Sequence, residues 1–309
     1  MDFNTNEEVR DGYRVSAEMK KVWAVELDLL QKFLDYCKLH NLRCWVEGGT
    51  LLGAVRHKGF IPWDDDVDVA MMREDYDRMC KIGNEGLEAP YFLQTAYSDI
   101  DYHRSHAQFR RSDTTAIRPS DAFEPFNQGI FIDIFPLDAV PDDRTLVHKH
   151  LRRSRKIFRF LKSKNCNLLV SGRLSLVFRK LKAKYMVRKH GWVSIYEKAE
   201  EEMRALGRMP HTKVAELTTL GEKIVWDKSI FDKTVMLPFE NIMVPAPYDY
   251  DAFLRETFGS NYMTPVQAPS MHGFVVFDTE RSYTELLDSV KRDYKKSVFK
   301  RLKEKIFKK

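Results

Sequence analysis

Between Glu47 and Met72 the chain reads EGGTLLGAVRHKGFIPWDDDVDVAMM, and four of the five positions from 64 to 68 are aspartate. Asp66 and Asp68 alternate with Val67 and Val69. An extended strand sends successive side chains to opposite faces, so the two aspartates share one face while the valines pack behind them. Adjacent carboxylates repel, and burying one side of the strand raises the cost. A divalent cation removes that cost, and hard carboxylate oxygens suit Mg2+ or Mn2+ held together with substrate phosphates.

A second acidic strand is legible at Gly129-Ile130-Phe131-Ile132-Asp133-Ile134-Phe135, expected to end at Pro136. Asp133 is flanked by isoleucines, and an aspartate inside such an apolar run needs a partner. Convergence of the two strands makes Asp66, Asp68 and Asp133 the expected metal ligands, in a pair of ions that clamps attacking and leaving oxygens. Asp64 shares the parity of Asp66 and Asp68 if the strand begins early, so it is the candidate general base for an acceptor hydroxyl. A solvated turn carboxylate is the alternative at Asp64 and Asp65.

Gly48 and Gly49 let the backbone approach phosphates closely. Thr50 is expected to cap the helix that follows, whose amides would add donors. Arg56, in the Arg56-His57-Lys58 stretch, suits a diphosphate through its forked guanidinium. Arg111, in an expected strand over 107–111, is a further phosphate candidate, with Arg110 facing the other way toward solvent. His272, in the loop Pro269-Ser270-Met271-His272-Gly273, could bind metal or phosphate.

Helical spacing places a helix over residues 15–40 through Val22, Val25, Leu29, Leu30, Phe33, Leu34 and Cys37. Strands are expected at Cys44–Val46, Asp66–Met71 and around Phe92-Leu93, and helices over 73–82, 197–206, 250–258 and 283–309. Residues 239–250 read as an extended, proline-containing stretch. Cys37, Cys44, Cys80 and Cys166 have no metal-binding spacing and read as free thiols.

The net charge of +6 conceals an asymmetry. Residues 144–190 hold 16 Lys or Arg and no Asp or Glu, and residues 291–309 hold 10 basic and 2 acidic side chains. The rest of the chain carries 25 basic and 43 acidic residues. Four regions follow: a catalytic core with its N-terminal helix over 1–143, a basic helical insert over 144–213, the remainder of the catalytic region over 214–290, and a basic C-terminal helix over 291–309. The insert mixes cations with large apolar residues, which fits peripheral contact with an anionic membrane better than nucleic-acid binding. No apolar run reaches the length of a membrane span, and the polar N-terminus is unlike a signal peptide. A cytoplasmic location is therefore expected, with contact at the inner face of the cytoplasmic membrane.

The run GGTLLGAVRHKGFIPWDDDVDV resembles the LicD family of phosphotransferases, which includes the fukutin-related enzymes. The resemblance continues through Phe131–Asp138, Phe239–Pro247, Tyr250–Leu254, Phe258-Gly259 and Tyr262-Met263, and reaches Pro265 and His272. It implies an α/β (α+β) fold: a nucleotidyltransferase-like mixed sheet with flanking helices. It implies transfer of a substituted phosphate from a CDP-linked donor to a hydroxyl of a cell-surface glycan or lipid-linked glycan, with release of CMP. Phosphocholine from CDP-choline is the expected group; CDP-ribitol and CDP-glycerol are the alternatives. The family's aspartate motif falls on Asp64, Asp66 and Asp68, its later strand carboxylate on Asp133, its glycine turn on Gly48 and Gly49, and its late histidine on His272. Trp45, Trp63, Tyr97 and Tyr102 are the aromatics available to a choline cation. A nucleotidyltransferase releasing pyrophosphate and a degenerate glycan- or lipid-binding protein are the competing readings. The intact aspartate set counts against the last.

Overall fold

A computed structural model of the chain describes residues 3–165, 174–267 and 273–307. A short hairpin, β1 (Glu8–Arg10) and β2 (Tyr13–Val15), leads into α1 (Ala17–Leu39). Ser16 caps that helix by accepting from the Met19 amide. The α1 stripe of Val22, Trp23, Leu29, Leu30, Phe33 and Cys37 is buried in the main core. Next come β3 (Trp45–Val46), α2 (Gly48–Arg56), β4 (Asp68–Met72), α3 (Arg73–Ile82), β5 (Tyr91–Gln94), β6 (Ala107–Arg111), β7 (Thr115–Ile117) and β8 (Ile130–Val140).

Strand β8 is the axis of a seven-stranded mixed sheet, buried at all eleven positions. It pairs parallel with β4, which pairs antiparallel with β3. On its other side β6 lies against its first half, and β9 (Lys213–Ala215) against its second. Strands β5 and β10 (Trp226–Asp227) extend the two arms. The architecture is the mixed α/β sheet with flanking helices that the resemblance implies.

Pro136 does not end the strand; β8 runs on to Val140. The Asp133 amide donates to Val67 on the β4 side, so by alternation the nitrogen of Pro136 faces the other side. There β6 has ended opposite Ile134 and β9 begins opposite Asp138. The missing N–H falls in that gap and costs no ladder bond. Strand β4 begins at Asp68 rather than Asp66. Residues 239–250, expected as an extended stretch, supply β12 (Ile242–Pro247), which forms a hairpin with β11 (Thr234–Phe239).

Three helices project from the far end of β8: α4 (Arg144–Lys162), α5 (Leu174–His190) and α6 (Trp192–Gly207). Val147, Leu151, Met203 and Leu206 join Ala139, Val140 and Ala215 in one apolar cluster. Phe158, Leu161, Trp192, Ile195, Tyr196 and Ala199 form a second. Downstream lie α7 (Tyr250–Phe258), β13 (Val276–Asp278), which pairs with β7, and α8 (Tyr283–Phe307). Among the described residues no helix is long and apolar enough to cross a membrane. Cys37, Cys44 and Cys80 are free thiols; Cys166 lies outside the described residues.

Candidate active site

Parallel pairing of β4 with β8 puts Asp68 directly opposite Asp133. Asp66, just ahead of β4, completes a triad in which one carboxylate oxygen from each residue lies within 4.8 Å of the others. Asp64, Asp65 and Asp66 form a second group by the same measure. Asp133 is almost entirely buried and accepts from Gln108 Nε2 at 2.6 Å. His106 Nε2 lies 3.2 Å from the same Asp133 oxygen. The structure thus brings together the carboxylates that alternation and the apolar run single out.

Helix α2 closes the floor of the site, but its start differs from expectation. Glu47, not Thr50, is the N-cap residue, and no side chain caps the helix. Thr50 sits inside the first turn, where its Oγ1 accepts from the Asp68 amide at 2.9 Å. The Glu47 amide donates to the Asp68 carbonyl at 3.1 Å. These two bonds tie α2 to the first residue of β4. The glycine pair makes room for carboxylates. A Cβ on Gly49 would stand 2.5 Å from Asp64 Oδ2, and one on Gly48, whose φ is +52°, would stand 3.2 Å from Asp68 Oδ2. No non-glycine side chain fits between α2 and the aspartates without displacing one of them.

The electrostatics are those of crowded anions. Burial pushes the Asp68 carboxyl well above the usual range, and Asp66, Asp133, Glu47 and Asp64 push it further. Asp64 is raised by burial and then by Asp66. Glu47 is pushed up to about 8, by burial first and Asp133 second. Glu216 is raised by burial and Glu47, and Glu26, from beneath on α1, by burial and the Asp64–Asp66 group. Burial and mutual repulsion hold these groups toward protonation. A hard divalent cation fits the set: the residues offer oxygen ligands at short mutual distance, and its charge would reverse the penalty that crowding imposes.

Two cavities meet at this cluster, sharing Gly49, Asp66, Asp68 and Phe258. The first, about 470 Å³, is lined by Glu47, Asp133 and Glu216 together with Arg104, His106 and Arg118. Burial lowers the Arg118 guanidinium, and neighbouring Arg104 lowers it further. Among the described residues Arg118 Nε and Arg104 Nε are buried without a hydrogen-bond partner, while Arg104 Nη2 holds Asp121 at 2.8 Å. The second, about 630 Å³, is lined by Arg56, Trp63, Asp64, Asn261 and Tyr262.

Other expected site residues have different fates. Arg56 lines the second cavity, with Nη1 donating to the Tyr262 carbonyl at 3.0 Å. Arg111 is not brought to the cluster: it lies on the α1 side of the sheet and pairs with Asp28 and Asp113, each at 3.2 Å. Arg110, expected at the surface, is 2% exposed. It shares the face of Gln108 and donates to Gln108, Gln94 and the Gly129 carbonyl, so it steadies the amide that holds Asp133. His57 Nε2 lies 2.7 Å from Asp11. His272 lies outside the described residues. Of the four aromatics, Trp63 alone lines the cavities described here. Trp45 donates to Thr234, Tyr97 to Glu197, and Tyr102 is packed against Phe126.

Sequence reasoning missed Glu26, Glu47, Arg104, His106, Arg118 and Glu216. Glu47 carried a signal, since a carboxylate after Trp45-Val46 is as costly as Asp133 among isoleucines. So did Glu26, on the buried stripe of α1. The other four had none, because they reach the cavity from three segments far apart in the chain.

A mixed sheet with carboxylates facing one another on adjacent strands is a nucleotidyltransferase-like architecture. The family profile described as "LicD/FKTN/FKRP, nucleotidyltransferase domain" matches residues 41–168. That segment is a LicD-family nucleotidyltransferase domain, homologous to bacterial LicD and to the FKRP-type enzymes. The chain is 33% identical over 132 residues to the lipopolysaccharide cholinephosphotransferase LicD of Haemophilus influenzae, a match covering 42% of this chain and 48% of that protein. It is 61% identical over 74 residues to an uncharacterized protein of Rickettsia typhi, covering 23% and 22% of the two chains. It is 59% identical over 35 residues to the human ribitol 5-phosphate transferase FKRP, covering 11% of this chain and 7% of that one. The matched stretches span less than half the length of these relatives.

Proposed function

We infer that this protein is a metal-dependent phosphotransferase. It moves a substituted phosphate, phosphocholine, from a CDP-linked donor to a hydroxyl of a cell-surface glycan or its lipid-linked precursor, and releases CMP. The observation that carries this reading is the meeting of two cavities at Asp66 and Asp68, one of them also lined by Arg104 and Arg118. A transferase must hold donor and acceptor on opposite sides of the phosphorus.

Asp66, Asp68 and Asp133 are the residues that would hold Mg2+ or Mn2+, which supplies charge neutralisation on the transferring oxygens. Arg104 and Arg118 bind the donor diphosphate in the first cavity, where the Nε of each is buried without a hydrogen-bond partner. Gln108 fixes the orientation of Asp133, and Arg110 fixes Gln108. Asp64, raised by burial and Asp66, accepts the proton of the acceptor hydroxyl. Trp63 and Tyr262 in the second cavity present aromatic faces to the choline cation. Arg56 secures that wall through the Tyr262 carbonyl.

The direct test is turnover with CDP-choline, CDP-ribitol, CDP-glycerol and CTP in the presence of Mg2+ and a glycan acceptor, following CMP and pyrophosphate separately. CMP from CDP-choline is the expected result. CMP from CDP-ribitol alone would transfer the reading to the chemistry named for the FKRP relative. Pyrophosphate from CTP would replace it with nucleotidyl transfer.

A further inference from the structure

Helix α5 carries apolar side chains on two nearly opposite faces. Ala183 is buried on one, where Met186 and Val187 pack against the cluster of Phe158, Trp192 and Tyr196. On the other, Phe178, Leu181 and Tyr185 stand 74%, 60% and 61% exposed. Their i, i+3, i+7 spacing aligns them in one stripe. Intramolecular packing accounts for the first face and leaves the second open.

The charge around the open face is of one sign. Lys182, Arg188 and Lys189 are exposed and flank the stripe at helical spacing. Neither α4 nor α5 contains an Asp or Glu. The four glutamates of α6 are already engaged: Glu197 with Arg204, Glu200 with Arg73, Glu201 with Arg208, and Glu202 with His150 and Arg153. Among the described residues Lys182, Arg188 and Lys189 have no ion pair, so an external anion complements them. A second copy would bring the same cations to the contact.

We propose that α5 lies along an anionic lipid surface. Phe178, Leu181 and Tyr185 enter the boundary between headgroups and acyl chains, and Lys182, Arg188 and Lys189 meet the headgroups. Aromatic and aliphatic side chains between long cationic ones match the layered polarity of that boundary. The contact is in-plane, since no described helix is long and apolar enough to cross a membrane.

The test is co-sedimentation of the full chain with vesicles of phosphatidylcholine alone and of phosphatidylcholine with phosphatidylglycerol. Binding to the anionic vesicles that falls with added salt is expected. The variant F178S/L181S/Y185S should lose about tenfold or more in partition coefficient while keeping its circular dichroism and Tm. K182E/K189E, which leaves every packed side chain in place, should lose binding to anionic vesicles too. Wild-type protein that ignores both vesicles, or both variants binding as wild type does, overturns the proposal. So does a wild-type dimer that the triple serine variant converts to monomer, or retention on an RNA homopolymer without retention on vesicles. No turnover enters the measurement, so the result is independent of the phosphotransfer reading.

Discussion

Strands β4 and β8 carry buried carboxylates at both ends of their pairing, and the two ends treat them oppositely. At one end Asp68 faces Asp133, with Asp66, Asp64 and Glu47 close by. At the other, Asp138 is fully buried and is gripped by Arg73, which follows directly on β4. Arg73 Nε and Nη2 donate to the two Asp138 oxygens at 2.7 and 3.0 Å, and Nη1 to Glu200 on α6. Asp77 and Arg204 extend this network between α3 and α6. Like charges gathered at one end raise one another toward protonation and could hold a divalent cation, whereas paired charges five residues along the same strand lock the insert onto the sheet. Carboxylate burial alone therefore distinguishes neither role; the sign of the neighbour does.

The comparison breaks first under D66A/D68A. Turnover should fall by more than about 100-fold, while Tm stays level or rises because mutual repulsion is relieved. Undiminished turnover would remove the triad from the chemistry. R73A should do the reverse at the other end. It leaves Asp138 and Glu200 buried without their counterion and should lower unfolding stability by about 3–5 kcal/mol. Chemical denaturation measures this, and a change under about 1 kcal/mol would mean the network is not the lock described here.

Divalent cation sharpens the contrast. Mg2+ at about a hundred times its Kd should stabilise the wild type by about 2.7 kcal/mol and R73A by the same increment, but not D66A/D68A. Calorimetry with and without chelator reads it. The smallest effect is in pH. Glu47, raised from its ordinary 4.5 to about 8, binds a proton in the folded state that the unfolded chain has already lost over that window. Stability of the metal-free protein from this group is thus fully present below about 4.5 and is lost as pH rises through about 8. Glu47→Gln should flatten that decline, and a profile of the same slope in wild type and variant would assign the dependence to the other carboxylates.

Much of this was legible in one dimension. Helices α1, α3 and α7 matched their expected limits closely, because apolar spacing, a capping serine and a terminal glycine act within a few residues. Strand limits were less legible. Pro136 reads as a stop, yet it sits in the gap between β6 and β9, a place defined only by two other strands. Gly48 and Gly49 read as a phosphate cradle, yet their missing side chains leave room for Asp64 and Asp68. Arg110 and Arg111 exchanged their expected surroundings, since which sheet face is covered is not written in the strand itself.

Order along the chain by itself determined the acidic strands, the glycine turn and the LicD-type motif, because alternation and short spacing act through covalent neighbours. Tertiary structure decided which charges meet. It set Asp68 against Asp133 and Asp138 against Arg73, brought Arg104, His106 and Arg118 into the cavity that the triad lines, and carried Arg111 away to Asp28. Coulomb interactions depend on distance and burial, and both are properties of the packed sheet rather than of any segment within it.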